Sequence, residues 1–204
     1  QSDTSQNLIQ LRSEFLNAHM IGSYKLTSLA TAFQDVWTTY YNPNPTINTK
    51  TGLPDTIPTY SPVQLEFGMT FRRSPLIIRV APELTEMQPI TLDGNFNSET
   101  KSINIKGVAP KAIYSGTEIQ NVSFDLNTLD STLYYAAIIH SLKVSGIELT
   151  NTLLSGTVKN SSIDAGLWIK DKKGKEQYHI GANLLAKAED FIFSLKEDGL
   201  MLNY

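Results

Sequence analysis

Residues 122–139 read VSFDLNTLDSTLYYAAII, and this stretch decides the fold class. Val122, Phe124 and Leu126 alternate with Ser123 and Asp125, and after Asn127-Thr128-Leu129-Asp130 the alternation restarts through Leu133, Tyr135, Ala137 and Ile139. Period two over several residues on each side of a polar cluster describes two strands of a half-buried antiparallel sheet joined by a tight turn. The same period extends outward. Upstream it runs through Ile90, Leu92 and Phe96, then Ile103 and Ile105. Downstream it runs through Ile163, Ala165, Leu167 and Ile169, through Tyr178, Ile180, Ala182 and Leu184, and through Phe191, Phe193 and Leu195. Lys172-Lys173-Gly174-Lys175 and Glu197-Asp198-Gly199 are the expected separators between the later strands.

Ser115-Gly116-Thr117-Glu118-Ile119-Gln120-Asn121 and Ser145-Gly146-Ile147-Glu148-Leu149-Thr150-Asn151 share the pattern S-G-x-E-[IL]-x-N at a separation of 30 residues. A recurring unit of this kind predicts an elongated array built by adding like strand pairs. The expected fold is therefore mainly β, an elongated antiparallel meander curved into an open trough with an apolar inner face.

Two short helices complete the expectation. Leu29, Phe33, Val36, Trp37 and Tyr40 recur at helical spacing, which predicts a helix over about 27–41, capped by Thr27 or Ser28, with its aromatic residues facing the core. Ser74-Pro75 ahead of Leu76-Ile77-Ile78, with Pro82 beyond, predicts a short and largely buried helix over about 74–81. Before the first helix, Ile9 with Leu11 and Met20 to Tyr24 read as two short strands broken near Asn17. Five of the nine prolines fall between Pro43 and Pro62, so 42–63 is expected to be a protease-sensitive loop. The chain divides at that loop into a strand-helix segment, 1–63, and a β-rich region, 64–204, forming one continuous unit. It opens on Gln1, and Leu200, Leu202 and Tyr204 still alternate at its last residues, so a piece cut from a longer chain is expected.

Composition narrows function. Net charge is −3 with 18% charged residues, which does not suit nucleic acid. Ser and Thr number 38 and Asn 14, polar residues that suit a half-exposed sheet. With no cysteine there is neither a thiolate nucleophile nor a disulfide. The longest apolar run, Leu133 to Ile139, is far shorter than the roughly 20 residues that span a bilayer as a helix. His19, His140 and His179 form no metal-binding spacing, and no serine elbow or phosphate-binding glycine loop occurs. Glu83, Glu86 and Asp93 read as solvated surface, and Lys170 to Lys175 as an exposed turn. Trp168, opposite Leu167 and Ile169, covers a neighbouring strand or is exposed. No catalytic residue, metal or cofactor is expected, and the chain is expected not to be an enzyme.

Ser74-Pro75-Leu76-Ile77, Pro89-Ile90-Thr91-Leu92-Asp93-Gly94, and the stretch from Gly181-Ala182-Asn183 through Asp190-Phe191-Ile192-Phe193 to Leu200-Met201-Leu202-Asn203-Tyr204 together resemble TamB-like, AsmA-related proteins of the Gram-negative envelope. Phe15-Leu16-Asn17-Ala18 followed by Gly22-Ser23-Tyr24-Lys25-Leu26 is similar to a segment repeated in them. The resemblance implies a periplasmic bridge anchored in the inner membrane. Its sheet is folded lengthwise into a β-taco that shields phospholipid acyl chains in transit between membranes, or supports outer-membrane protein assembly with a barrel partner. The anchor and the region that would dock the barrel have no counterpart in this sequence. Phe124, Leu126, Leu133, Tyr135, Leu167, Ile169, Ile180, Leu184, Phe191 and Phe193 fall on the apolar side of their alternations and are the candidate lining of such a groove. The opposing expectations are a closed β-sandwich adhesin or carbohydrate- or protein-binding module, and a structural spacer.

Overall fold

The computed structural model describes residues 6–42, 59–187 and 190–202. In chain order these form β1 (Asn7–Arg12), β2 (Leu16–Ser23), α1 (Leu26–Tyr40), β3 (Gln64–Phe71), α2 (Pro75–Val80), β4 (Leu84–Met87), β5 (Ile90–Asn97), β6 (Ser102–Tyr114), β7 (Thr117–Leu129), β8 (Thr132–Val144), β9 (Ile147–Lys159), β10 (Ser162–Lys170), β11 (Glu176–Lys187) and β12 (Asp190–Leu202). All strands join one antiparallel sheet in the order β1-β2-β3-β5-β6-β7-β8-β9-β10-β11-β12, with β4 paired to the far end of β6. The sheet is open and not closed into a barrel, and the described strands all belong to this one sheet. Most of the proline-rich loop, 43–58, lies outside the described residues.

Hairpin chemistry sets the meander. Ser115 and Gly116, Asp130 and Ser131, Ser145 and Gly146, and Asn160 and Ser161 all have positive φ. Two consecutive left-handed residues are what the tightest hairpin turn needs to match the twist of its strands. The S-G of the 30-residue unit is thus a turn. Its final asparagine has a second role: Asn121 and Asn151 adopt φ of 50° and 48° inside β7 and β9. Regular pairing of β7 with β8 passes from Gln120–Ser141 to Val122–Ile139 and skips Asn121, whose carbonyl lies 2.9 Å from Nδ1 of His140. Beyond this row the apolar residues change phase, to Ala112, Ile119, Leu142 and Leu149, which pair successively across β6 to β9.

α1 lies across the sheet near the hairpins that follow β5, β7 and β9. Its buried stripe is Ser28, Ala32, Val36 and Tyr40, packed with Val63, Leu65, Phe96, Leu133 and Val158. Small residues at 28 and 32 let the helix approach closely, while Trp37 remains half exposed, contrary to the expectation that it faces the core. The helix begins at Leu26, with Lys25 in the N-cap position and no side-chain cap, so Thr27 and Ser28 are internal. The Tyr40 hydroxyl donates to the Lys101 carbonyl, and the Tyr40 carbonyl accepts from Ser161 N–H at 3.1 Å.

Other expectations need correction. α2 is capped by Ser74 as anticipated, at 3.3 Å from Ile77 N–H, but it buries no residue, and Leu76 and Val80 are exposed. The break between the first two strands lies at 13–15, and Asn17 is inside β2. Glu197-Asp198-Gly199 does not separate strands. β12 runs through it as a bulge, pairing Ala182 with Leu195 and then Ile180 with Leu200. Gly199 lies against the Gly181 backbone there, and a Cβ on it would come within 2.8 Å of the Gly181 oxygen.

Asp35 ties α1 to the β5–β6 turn through Lys101 and also accepts from the Tyr60 hydroxyl. Burial alone would raise its carboxyl, but the hydrogen bonds from Lys101 and Tyr60, together with the ammonium charge, outweigh that and hold it below the ordinary carboxylate range. A folded value below the unfolded one, about 3.9, stabilises the fold above that pH and ceases to do so as pH falls through the folded value. Thermal melts should therefore show the melting temperature falling as pH drops below about 4. Asp35→Asn should melt lower at neutral pH and lose less on acidification. Part of the acid loss should survive in this variant, because Glu118, Glu148 and Asp164 are also held low by lysine or amide partners. Parallel pH profiles for the two proteins would show that Asp35 is not a contributor.

Candidate functional site

Residues paired directly across antiparallel strands share a face of the sheet. One row runs Leu11, Ala18, Met69, Leu92, Gly107, Phe124, Ala137, Leu154, Leu167, Ile180 and Leu200, from β1 to β12. The next row on that face starts at Ile9 and Met20, passes Phe67, Leu126 and Tyr135, and ends at Ala182 and Leu195. Neither row contains a polar residue or any charge outside the tyrosine hydroxyl. The opposite face is mixed: Glu66, Asn95, Asn104, Asn127, Tyr134, Thr157, Asp164, Asn183 and Ser194 are one continuous polar cross-strand row, while another row on it carries Val108, Ile138, Leu153 and Trp168.

The register puts all ten sequence-derived candidates on the apolar face. Phe124, Leu167 and Ile180 share the first row, while Leu126 and Tyr135 share the second. Leu133 reaches Leu184 and Phe193 through Val158 and Ile163. Ile169 and Phe191 lie two residues along from Leu167 and Phe193 on the same strands. Their surroundings divide them. Leu133 is 2% exposed beneath α1, and Leu126 and Tyr135 pack against the same cluster. Leu167, Ile169 and Leu184 are half buried. Phe124 and Ile180 are exposed, and exposure peaks at the sheet edge with Phe191 and Phe193. The helix therefore covers one end of the apolar face and leaves the remainder open to solvent.

Apolar clefts flank α1 on both sides. One, of about 350 Å³, is lined by Phe33 together with Ile9, Leu11, Met20, Leu65, Phe67 and Met69. The other, of about 360 Å³, is lined by Phe33, Trp37, Phe96, Ile103, Leu126 and Leu133. Volumes of this size suit a small apolar ligand, and with almost no polar lining such a ligand would be held by its hydrocarbon part. The strands that line the first cleft, β1, β2 and β3, contribute nothing to the candidate set, although Leu65, Phe67, Met69 and Phe71 alternate plainly enough to reveal β3.

At the end of the sheet away from α1, charges alternate across the strands. Lys111 bridges Glu86 at 2.8 Å and Glu118 at 3.5 Å, Lys143 meets Glu118 at 3.5 Å, and Lys172 meets Glu148 at 2.8 Å. These partners neutralise one another, so the cluster presents no net field for a single ion.

The remaining chemistry-bearing residues are engaged locally. Trp168 lies on the polar face, covers Gly166 of its own strand and stacks on His179 at 4.7 Å. His19 lies over Gly68. Among the described residues no group of three or more His, Asp or Glu converges as a metal site, and no helix is long and apolar enough to cross a membrane. No family model, no curated protein and no solved structure matches this chain.

Proposed function

We propose that the chain is a non-catalytic lipid-shielding segment. Its apolar face covers phospholipid acyl chains while they cross an aqueous gap, as a periplasmic part of a TamB-like, AsmA-related bridge between inner and outer membranes. The observation that carries this reading is the unbroken apolar row from Leu11 to Leu200, open to solvent beyond α1. Moving a methylene from water to such a face is favourable by about 0.8 kcal/mol, so even part of an acyl chain gains several kcal/mol. Moving it there from a bilayer is nearly isoenergetic, because both surroundings are apolar. The face therefore lowers the barrier to crossing water without trapping its cargo. The open single sheet also favours this reading over an adhesin whose apolar face packs on itself.

Phe124→Asp and Leu167→Asp test the proposal. A carboxylate at either position keeps access to water, so both variants should fold, and mass spectrometry should find several-fold less phospholipid copurifying from a Gram-negative host. If both fold and retain the wild-type amount of phospholipid, or if both unfold, the assignment of a lipid-carrying face fails.

A further inference from the structure

Arginine is confined to one end of the sheet, the end away from α1. The chain has four, Arg12, Arg72, Arg73 and Arg79; the last three flank or lie in α2, where the chain leaves β3 and before β4 joins β6. Among the described residues none of the four forms an ion pair, whereas Lys101, Lys106, Lys111, Lys143, Lys172 and Lys196 each meet a carboxylate. Glu14 and Glu83, the acids closest in sequence to Arg12 and Arg79, lie beyond ion-pair distance of them. Arg73 and Arg79 are exposed. Arg73 donates from Nε to the Leu84 carbonyl at 3.3 Å, which leaves the rest of its guanidinium fork free.

α2 adds an apolar component that the fold does not use. Ser74 caps it and the Ala81 N–H closes it on the Ile77 carbonyl, so its six residues are held in place although none is buried. Leu76, Arg79 and Val80, at i, i+3 and i+4, share one side. Leu76 is 48% exposed and Val80 79%, the most of any large apolar residue described. Aliphatic side chains set among unpaired guanidinium groups suit a lipid interface, where the hydrocarbon enters the headgroup layer and the cations meet phosphates. We propose that this end of the sheet, through Arg72, Arg73 and Arg79 with Leu76 and Val80, docks on the surface of an anionic phospholipid bilayer.

Charge complementarity selects the partner. Guanidinium groups take phosphate in a bidentate fork, and each basic residue close to an anionic surface adds attraction that salt weakens. The net charge of −3 opposes such a surface, so the attraction has to be local. A nucleic acid would use the cations but gain nothing from Leu76 and Val80, and no aromatic residue lies within 72–80 to stack on a base. Docking goes beyond the shielding of acyl chains, because it names where the chain meets a membrane. It also orients the apolar face: Leu11 and Met69 of the first apolar row lie one and three residues from Arg12 and Arg72, so hydrocarbon leaving the bilayer meets that row first.

The test is cosedimentation of the whole chain with vesicles of phosphatidylcholine, alone or mixed with phosphatidylglycerol, with circular dichroism as the check of folding. Wild type should bind the vesicles that contain phosphatidylglycerol much more tightly than the others, and less as salt rises. Arg73→Glu with Arg79→Glu should weaken that binding at least about tenfold, since two attractions become two repulsions. Lys25→Glu with Lys159→Glu makes the same change of net charge at exposed positions near α1 and should bind like wild type. A second measurement leaves the charges alone: in a protein without cysteine, Val80→Cys carries a single environment-sensitive fluorophore. Its emission should shift to the blue on phosphatidylglycerol vesicles, while the same label in Leu129→Cys, near α1, should not respond. Equal binding to both compositions, binding indifferent to the arginine pair, equal loss in the lysine pair, or a silent label at 80 would each overturn the proposal. So would a shift of that label on raising protein concentration without vesicles, which assigns the face to a second copy, or retention on heparin without vesicle binding, which assigns it to a soluble polyanion. Vesicle binding is read whether or not phospholipid copurifies, so failure here is separable from failure of the lipid-carrying reading.

Discussion

Leu133→Asp is expected to leave no cooperatively folded protein. Leu133 is 2% exposed, sandwiched between α1 and the sheet, with Leu126 and Ile103 lining the same cleft and Val158 paired across the strand. A carboxylate at that point has no partner, and burying it costs several kcal/mol beyond the roughly 2–5 kcal/mol lost with the leucine side chain. Domains of ordinary stability hold only about 5–15 kcal/mol in reserve. Leu167 lies on the same apolar face, but no helix covers it, and a charge there can stay hydrated. Two chemically identical substitutions on one face should therefore diverge. Urea denaturation followed by circular dichroism should give a normal transition for Leu167→Asp and none for Leu133→Asp. A folded Leu133→Asp of wild-type stability would mean that α1 does not seal that part of the face.

That contrast marks the limit of what the sequence discloses. Alternation is a local signal: Phe124 and Leu126 declare a face within three residues, and a one-residue slip would have reversed it. The candidates on β7, β8 and β10 fall on one face because the β7–β8, β8–β9 and β9–β10 hairpins each keep their phase through a two-residue turn, and Ser115-Gly116 and Ser145-Gly146 are visible as turn residues in the repeat. Coverage is not local. That Leu133 is sealed and Leu167 is open depends on where a helix about a hundred residues upstream docks, and no periodicity encodes it. Helical spacing in 26–40 is equally compatible with a stripe through Phe33 and Trp37. Docking selected Ser28, Ala32, Val36 and Tyr40 because smaller residues allow closer approach to the sheet. At 197–199 the residues suit a turn, but the strand continues because β11 offers Gly181 beside Gly199, and the extra residues bulge out of the ladder. Pairings between glycine and an aromatic residue on the next strand, such as Phe67 over Gly94, are likewise invisible until the register is known.

One such pairing should be among the least tolerant positions in the sheet. Tyr135 and Gly156 face each other across β8 and β9, the ring lies over the glycine, and the hydroxyl donates to the Asp164 carbonyl of β10 at 2.9 Å. A Cβ at 156 would collide with that carbonyl and come within 2.5 Å of the tyrosine oxygen and 2.7 Å of the adjoining ring carbon. Gly156→Val must therefore expel the ring, break its hydrogen bond and push on the β10 backbone. Overpacking of this kind costs about 1–3 kcal/mol, and the lost hydrogen bond adds about 1. In a chain of this size about 3 kcal/mol corresponds to a fall in melting temperature of roughly 6–12 °C. Clearing the ring should return part of the loss. Tyr135→Ala alone destabilises by removing a half-buried aromatic, but in Gly156→Val it vacates the space that the valine needs. The double variant should therefore melt well above the sum of the two single effects, with a coupling of about 1 kcal/mol or more. Strictly additive losses would show that the ring does not occupy the space above Gly156. Rescue should still be incomplete, because the Asp164 carbonyl belongs to the strand and cannot swing aside as a side chain does.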